Sequence, residues 1–262
     1  MPVSPKFGIR YEVARGMYVR GAAYRAFRAP TLAELYRRSS VEGLALVENP
    51  RLRAESLDGG EIGFDFAALS GVTAHVTGYW NNVRDAIAAI TTKFDPVTGE
   101  DAERTRINLG LARIRGVETE LSYDVTRSLE LFGRYVYAEP LIIDAPDPDL
   151  EGKVLTQVPR HAGVAGFRYA APRLFVLLMQ TRIEGRKFED PDNHDTLGGY
   201  YVIDAQLSRA LPAIEAFPAF KRGRVFVSVQ NLLDRDYEVD KGGGITKIGT
   251  PLLVLAGTTF RF

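Results

Sequence analysis

The chain has 262 residues, no cysteine, and 33 basic residues balanced by 33 acidic ones, so its formal charge is zero. That balance lacks the basic footprint of a nucleic-acid binder, and the absence of thiols excludes disulfides, thiolate metal sites and a cysteine nucleophile. No apolar run approaches the roughly 18 residues of a membrane-spanning helix; Leu174 to Met179 comes nearest and is far too short.

Period-two alternation bounded by turn residues predicts eleven β-strands, at 6–14, 16–27, 55–67, 71–84, 104–124, 128–140, 158–170, 173–186, 198–210, 222–233 and 250–262. Their connections alternate strictly. The short ones are Arg15-Gly16, Leu69-Ser70-Gly71, Thr126-Arg127 and Ala171-Pro172, with a longer one from Leu211 to Lys221; the long ones cover 28–54, 85–103, 141–157, 187–197 and 234–249. Short turns on one side and long loops on the other are the pattern of an antiparallel transmembrane β-barrel of the bacterial outer membrane. No Pro/Ser-rich linker divides residues 1–262, so one all-β unit is expected. No secretory leader pattern precedes the first strand, which suggests the rear portion of a longer exported protein.

The alternation sorts side chains by solvent. Val117, Thr119, Leu121 and Tyr123 share one face, and Gly116, Glu118, Glu120 and Ser122 the other; Leu129, Leu131, Tyr135 and Tyr137 repeat the pattern, as do Ile62, Phe64 and Phe66 against Glu61, Gly63 and Asp65. Tyr201, Ile203, Ala205 and Leu207 alternate with Asp204, Gln206 and Ser208, a pattern that also suits a soluble sandwich. Aromatic residues near strand ends, namely Phe27, Tyr79, Trp80, Tyr123, Tyr137, Tyr169, Tyr200, Tyr201, Phe260 and Phe262, suit the interfacial girdles of a membrane barrel. In the last strand Leu252, Val254, Ala256, Thr258, Phe260 and Phe262 fall on one face.

Several segments carry local folding signals. Pro30 ends a strand because it lacks the ladder N–H, and Thr31 is placed to cap a short helix through Leu32, Leu35 and Tyr36. Asn49-Pro50 starts a turn, Gly116 permits a bulge or close backbone approach, and Asn231 and Asp234 flank a strand exit where their side chains can satisfy turn amides.

In order along the chain, Phe27 to Tyr36, Asn49 to Glu55, Asn108 through Arg115-Gly116-Val117-Glu118, Val158-Pro159-Arg160-His161 and Asn231 to Tyr237, followed by a terminal Phe262, resemble the C-terminal half of the barrel of TonB-dependent outer-membrane receptors. The resemblance implies eleven strands of roughly 22, without the family's plug domain. It implies localisation in the Gram-negative outer membrane and uptake of a scarce ligand, a ferric siderophore or cobalamin. The expected partners are outer-membrane lipid, the plug and N-terminal half-barrel, and, through them, the TonB complex. The long loops would form part of a ligand vestibule, and for an anionic ferric complex Arg37, Arg38, Lys93, Arg186, Lys187 and Lys241 are the candidate contacts.

No catalytic, cofactor-binding or metal-ligating set is expected. His75 falls on the polar face with Thr73 and Thr77, His161 lies in the Pro-Arg-His turn, and Asp190-Pro191-Asp192-Asn193-His194-Asp195 lacks the glycine and distant glutamate of an EF-hand, so it is expected to be a solvated loop. The alternatives are a soluble or surface β-rich ligand-binding module, disfavoured by strands longer than ten residues, and an outer-membrane barrel hydrolase, disfavoured because no Ser and His pair convincingly.

Overall fold

The strands alternate because the sheet they build separates two environments. The structure is a computed structural model describing residues 3–41, 44–97, 99, 101–171, 174–211, 222–242 and 245–261. In chain order the strands are β1 (Lys6–Ala14), β2 (Met17–Arg28), β3 (Ser39–Val41), β4 (Leu44–Val47), β5 (Glu55–Phe66), β6 (Val72–Arg84) and β7 (Ile87–Phe94). Next come β8 (Asp101–Asn108), β9 (Leu111–Asp124), β10 (Leu129–Asp144), β11 (His161–Ala171), β12 (Phe175–Glu184) and β13 (Lys187–Phe188). The series ends with β14 (Thr196–Leu197), β15 (Tyr200–Leu211), β16 (Arg222–Gln230), β17 (Glu238–Gly242), β18 (Ile245–Ile248) and β19 (Leu253–Arg261). Helix α1 (Leu32–Tyr36) follows β2, and a 3-10 turn occupies Pro148–Leu150.

Eleven strands form one antiparallel, up-and-down sheet in the order β1-β2-β5-β6-β9-β10-β11-β12-β15-β16-β19. Among the described residues β1 pairs with β2 alone and β19 with β16 alone, so the sheet is open at both edges. The tight turns at Arg15-Gly16, Leu69-Ser70-Gly71 and Thr126-Arg127 are as the sequence predicts. Gly16 and Gly71 take φ of 74° and 77°, where a side chain would be strained, and Thr126 Oγ1 accepts from the amides of Ser128 and Leu129. Pro172, most of the Leu211 to Lys221 connection, Gly243 and Gly244, and Phe262 lie outside the described residues.

Register fixes which side chains share a face. Phe7, Ile9, Tyr11, Ile62, Val76, Val117, Leu121, Tyr135, Ile183, Leu207, Val227 and Val254 fall on the outward face and are exposed; Ile62 is 67% accessible. Ion pairs line the inward face. Arg20 lies 3.1 Å from Asp65 and 3.7 Å from Glu61, His75 Nδ1 is 2.9 Å from Asp65, Arg134 is 2.9 Å from Glu120, and Arg182 is 2.7 Å from Asp204. The buried cluster is small (Ala86, Leu109, Ala112, Ile142 and Leu150) and sits at the loop end of β9 and β10. A soluble domain of this length buries most of its surface, whereas here the apolar face is uncovered. Lipid on that face resolves the imbalance and removes the soluble sandwich as an alternative.

Four expectations need correction. The predicted strand 104–124 is two strands, because Leu109 is wholly buried and Asn108 bonds across to Arg53 N and to the carbonyls of Arg53 and Asp85, turning β8 out of the sheet. The strand predicted to end at 140 continues to Asp144 through Pro140. This is tolerated because beyond Ala138 that edge of β10 faces a loop, with Ile142 N donating to Lys153 O and Leu155 N to Pro140 O. The long loops contain secondary structure of their own, β3, β4, β7, β8, β13, β14, β17 and β18. Of the expected girdle, Tyr79 and Tyr200 face inward with Glu61 and Glu184, whereas Phe27, Trp80, Tyr123, Tyr137, Tyr169, Tyr201 and Phe260 face outward.

Other local signals hold. Any side chain at Gly116 would collide with Tyr137 O and the Tyr79 ring, the close approach expected there. At the β16 exit Asn231 and Asp234 adopt φ of 51° and 47°. Asn231, wholly buried, accepts from Arg235 N at 3.0 Å and donates to the carbonyls of Arg235 at 2.8 Å and Thr250 at 3.1 Å, while Asp234 accepts from Leu252 N at 2.8 Å. Replacing Asn231 by Ala orphans these groups, so Asn231→Ala is expected to lower the unfolding free energy by about 1–3 kcal/mol. Urea unfolding in a lipid or detergent host reads this as a lower midpoint; an unchanged midpoint contradicts the assignment.

Candidate functional site

The five long loops leave the same end of the sheet and bond to one another. The first is held at its root by α1, where Thr31 and Glu34 form a capping box and Arg28 reaches Glu34 at 3.0 Å. Burial works to raise the Glu34 carboxyl, but the Arg28 guanidinium and the Thr31 amide and hydroxyl outweigh it and hold it down at about 2. The first and second loops then share a four-stranded sheet, β3-β4-β8-β7, in which β4 and β8 run parallel through Ala45↔Glu103, Leu46↔Arg104 and Val47↔Thr105. Asn49 Nδ2 donates to Arg106 O at 2.9 Å, adding a side-chain tie.

The third, fourth and fifth loops meet at Glu189. Its Oε2 accepts from Lys241 N at 3.1 Å and from the Gln157 amide, its backbone carbonyl accepts from Arg104 at 3.4 Å, and its Oε1 is buried without a partner among the described residues. Gln157, held at φ 63°, also donates from its backbone to Phe188 O at 2.8 Å and from its side chain to Asp240 at 3.0 Å. Burial, aided by Asp240, pushes the Glu189 carboxyl above its ordinary value against the Lys241 amide. The segment Asp190 to Asp195 is therefore not simply solvated, as its composition suggests. Asp190 is buried and accepts from the amides of His194 at 3.0 Å and Asp195 at 2.6 Å, and Asn193 pairs with both backbone groups of Val154.

The predicted vestibule residues occupy distinct places. Arg38 and Lys93 converge on Glu103, at 3.3 and 3.0 Å. The Lys93 ammonium is the main cause that holds the Glu103 carboxyl below its usual range. Lys187, mostly buried, pairs with Glu184 at 3.0 Å. Arg37, Arg186 and Lys241 are exposed and make no side-chain ion pair among the described residues, so these three keep their charge available. Among the sequence-predicted histidines, His75 is on the inward face beside Asp65, and His161 packs against Tyr135 and Tyr137, its Nδ1 2.7 Å from the Tyr135 hydroxyl.

Sequence reasoning overlooked a rim cavity of about 890 Å³ between the fourth and fifth loops. It is lined by Glu184, Tyr200, Tyr201, Arg235, Tyr237 and Ile248, with the rings of Tyr200 and Tyr237 4.5 Å apart and Arg235 4.1 Å above Tyr201. The signal available in the sequence was the Arg235-Asp236-Tyr237 segment opposite Tyr200-Tyr201, but nothing local shows that these segments meet. Rings and a guanidinium together favour a ligand with flat or anionic groups.

A family model described as TonB dependent receptor-like, beta-barrel, matches residues 2–232. The chain is 28% identical over 150 residues to the iron-regulated outer membrane virulence protein of Vibrio cholerae, a match covering 55% of this chain and 22% of that protein. It is 29% identical over 158 residues to the ferrichrome outer membrane transporter/phage receptor of Escherichia coli K12, covering 58% of this chain and 20% of the other. The chain thus spans about a fifth of the length of these curated relatives. The solved copper transporter OprC superposes with a TM-score of 0.76 at 17% identity, over 99% of this chain and 39% of that one, a likeness of fold.

The Glu189 junction generates a pH dependence. A carboxyl raised above its unfolded value contributes stability at pH below that value and loses it as pH rises through the folded one. Backbone amides in 187–190 and 238–242 are therefore expected to lose hydrogen-exchange protection as pH rises from about 4.5 to 8, after correction for intrinsic rates. Glu189→Gln should flatten that dependence; an identical profile in wild type and variant contradicts the junction.

Proposed function

The chain belongs to the TonB-dependent receptor-like β-barrel family, and from that premise we propose that it forms part of the wall and vestibule of an outer-membrane importer for a ferric siderophore. It is a β-barrel protein of the outer membrane, in a family of receptors and transporters, not enzymes. The observation that carries the siderophore over cobalamin is the kinship with two proteins named for iron regulation and for ferrichrome. The inward face supports transport, since its charged ladder suits a water-filled interior and the bonded loops frame its mouth.

Two further parts of the proposal rest on physics. The backbone groups along the free edges of β1 and β19 have no partner in lipid, so additional strands must close the barrel. Gradient-driven entry requires a plug and contact with the TonB complex, which we place in that additional part. In the vestibule, Arg37, Arg186 and Lys241 attract an anionic ferric complex, with Arg38, Lys93 and Lys187 holding loop geometry through their ion pairs.

Uptake of radiolabelled iron as ferrichrome, ferric enterobactin and ferric citrate, in iron-limited cells with and without the gene, tests the proposal. Gene-dependent uptake of at least one complex, collapsed by a protonophore, is expected; gene-dependent uptake of cobalamin in place of iron would contradict it. Changing Arg37, Arg186 and Lys241 together to Ala should weaken binding of that complex by about 10-fold at low salt and less at high salt. An unchanged affinity would remove these residues from the vestibule.

A further inference from the structure

A second cavity, of about 790 Å³, opens on the outward face of β5, β6, β9 and β10, where transport has no use for it. Its walls are Ile62, Trp80, Val117 and Tyr137, all at outward register positions. Its floor is bare because two glycines stand side by side there, Gly60 opposite Trp80 and Gly78 opposite Ile62. Crowding does not require either glycine. A methyl group at Gly78 would meet nothing within 4 Å, and one at Gly60 would touch Ala22 O at 3.4 Å. Glycine costs stability in a strand and often marks a site that another molecule approaches closely.

The loop-side end of this cleft is lined by Arg115, Asp58 and Glu139, and Arg25, Arg84 and Arg113 stand beside it. Arg113 and Arg115 lie 5.0 and 5.3 Å from the centre of the Trp80 ring. Arg115 is paired with Glu139, and Arg25 and Arg84 share Asp58 at 2.6 and 3.0 Å. Arg113 makes no ion pair of its own among the described residues, although its charge acts on Glu139, and its Nε is buried without a hydrogen-bond partner among those residues. Four guanidinium groups thus face two carboxylates on this patch.

We propose that the cleft holds one phosphate-bearing lipid of the leaflet on the loop side, its acyl chain lying over Gly60 and Gly78 and its phosphate accepting from Arg113. Apolar walls on a membrane-facing surface select a hydrocarbon chain over any soluble ligand. The surplus positive charge selects an anionic headgroup over a zwitterionic one. Trp80 then bridges the two regions, its ring against the chain and its face beneath the guanidinium groups.

Trp80 is the one tryptophan of the chain and supplies the probe. Protein isolated from outer membranes is placed in phosphatidylcholine vesicles that contain equal fractions of either acyl-brominated phosphatidylglycerol or acyl-brominated phosphatidylcholine, and quenching assigned to Trp80 is taken by difference from Trp80→Phe. The anionic lipid should associate about five-fold more strongly, as expected for Arg113, the one guanidinium of the four outside an ion pair among the described residues. Arg113→Gln should abolish that preference, and Gly78→Leu, which fills the floor, should reduce quenching by both lipids. Equal quenching by the two lipids in the unaltered protein, or a preference that survives Arg113→Gln, would overturn the proposal. Where Gly78→Leu fails to assemble, as judged by heat-modifiable gel mobility, the Arg113 variant alone decides.

Discussion

Hydrocarbon offers no hydrogen-bond partner to a peptide group, so every backbone N–H and C=O within the membrane must be paired inside the protein. The long antiparallel ladders of β5, β6, β9 and β10 follow from that constraint. So does the two-faced sequence, because strands paired on both sides can differ only in what their side chains meet above and below the sheet. Ile62, Val117 and Leu121 meet lipid, while Arg20, Asp65, Glu120 and Arg134 meet water and each other. The ion pairs of the inward face are solvated and contribute little individually; they keep a polar wall compatible with an aqueous interior.

Outside the membrane the constraint relaxes, and the loops use shorter-range devices. Five loops that would otherwise be independent are joined by a shared sheet on one side and by Glu189 and Gln157 on the other. Most of these ties involve a backbone group with a side chain, such as Asn49 with Arg106 and Asn193 with Val154. A mouth built this way holds its shape with only the small hydrophobic cluster around Leu109 and Ile142, and it leaves Arg37, Arg186 and Lys241 exposed.

The membrane sheet was legible because alternation is a direct record of two solvents, and Gly16, Gly71, Thr31 and Asn231 announced their turns and caps through local chemistry. The loop architecture was not. β8 continues the alternating pattern into β9, and only burial of Leu109 and the bonds of Asn108 separate them. Asp190 reads as a solvated acid in a hydrophilic run, yet it is turned inward to bind two amides of its own loop. Tyr79 and Tyr200 stand next to true girdle residues, Trp80 and Tyr201, and a shift of one residue along a strand reverses the face. The cationic loop residues were visible as a class, but which of them are already paired depends on contacts between loops far apart in sequence.

The central claim, that one face of this sheet lies in lipid and the other in water, is open to direct measurement because the chain has no cysteine of its own. Single cysteines placed in turn from Val117 to Leu121 and labelled in isolated outer membranes with a membrane-impermeant maleimide give the decisive profile. Strong labelling at positions 118 and 120 with protection at 117, 119 and 121 is the predicted result; uniform labelling across all five would contradict a membrane-spanning sheet.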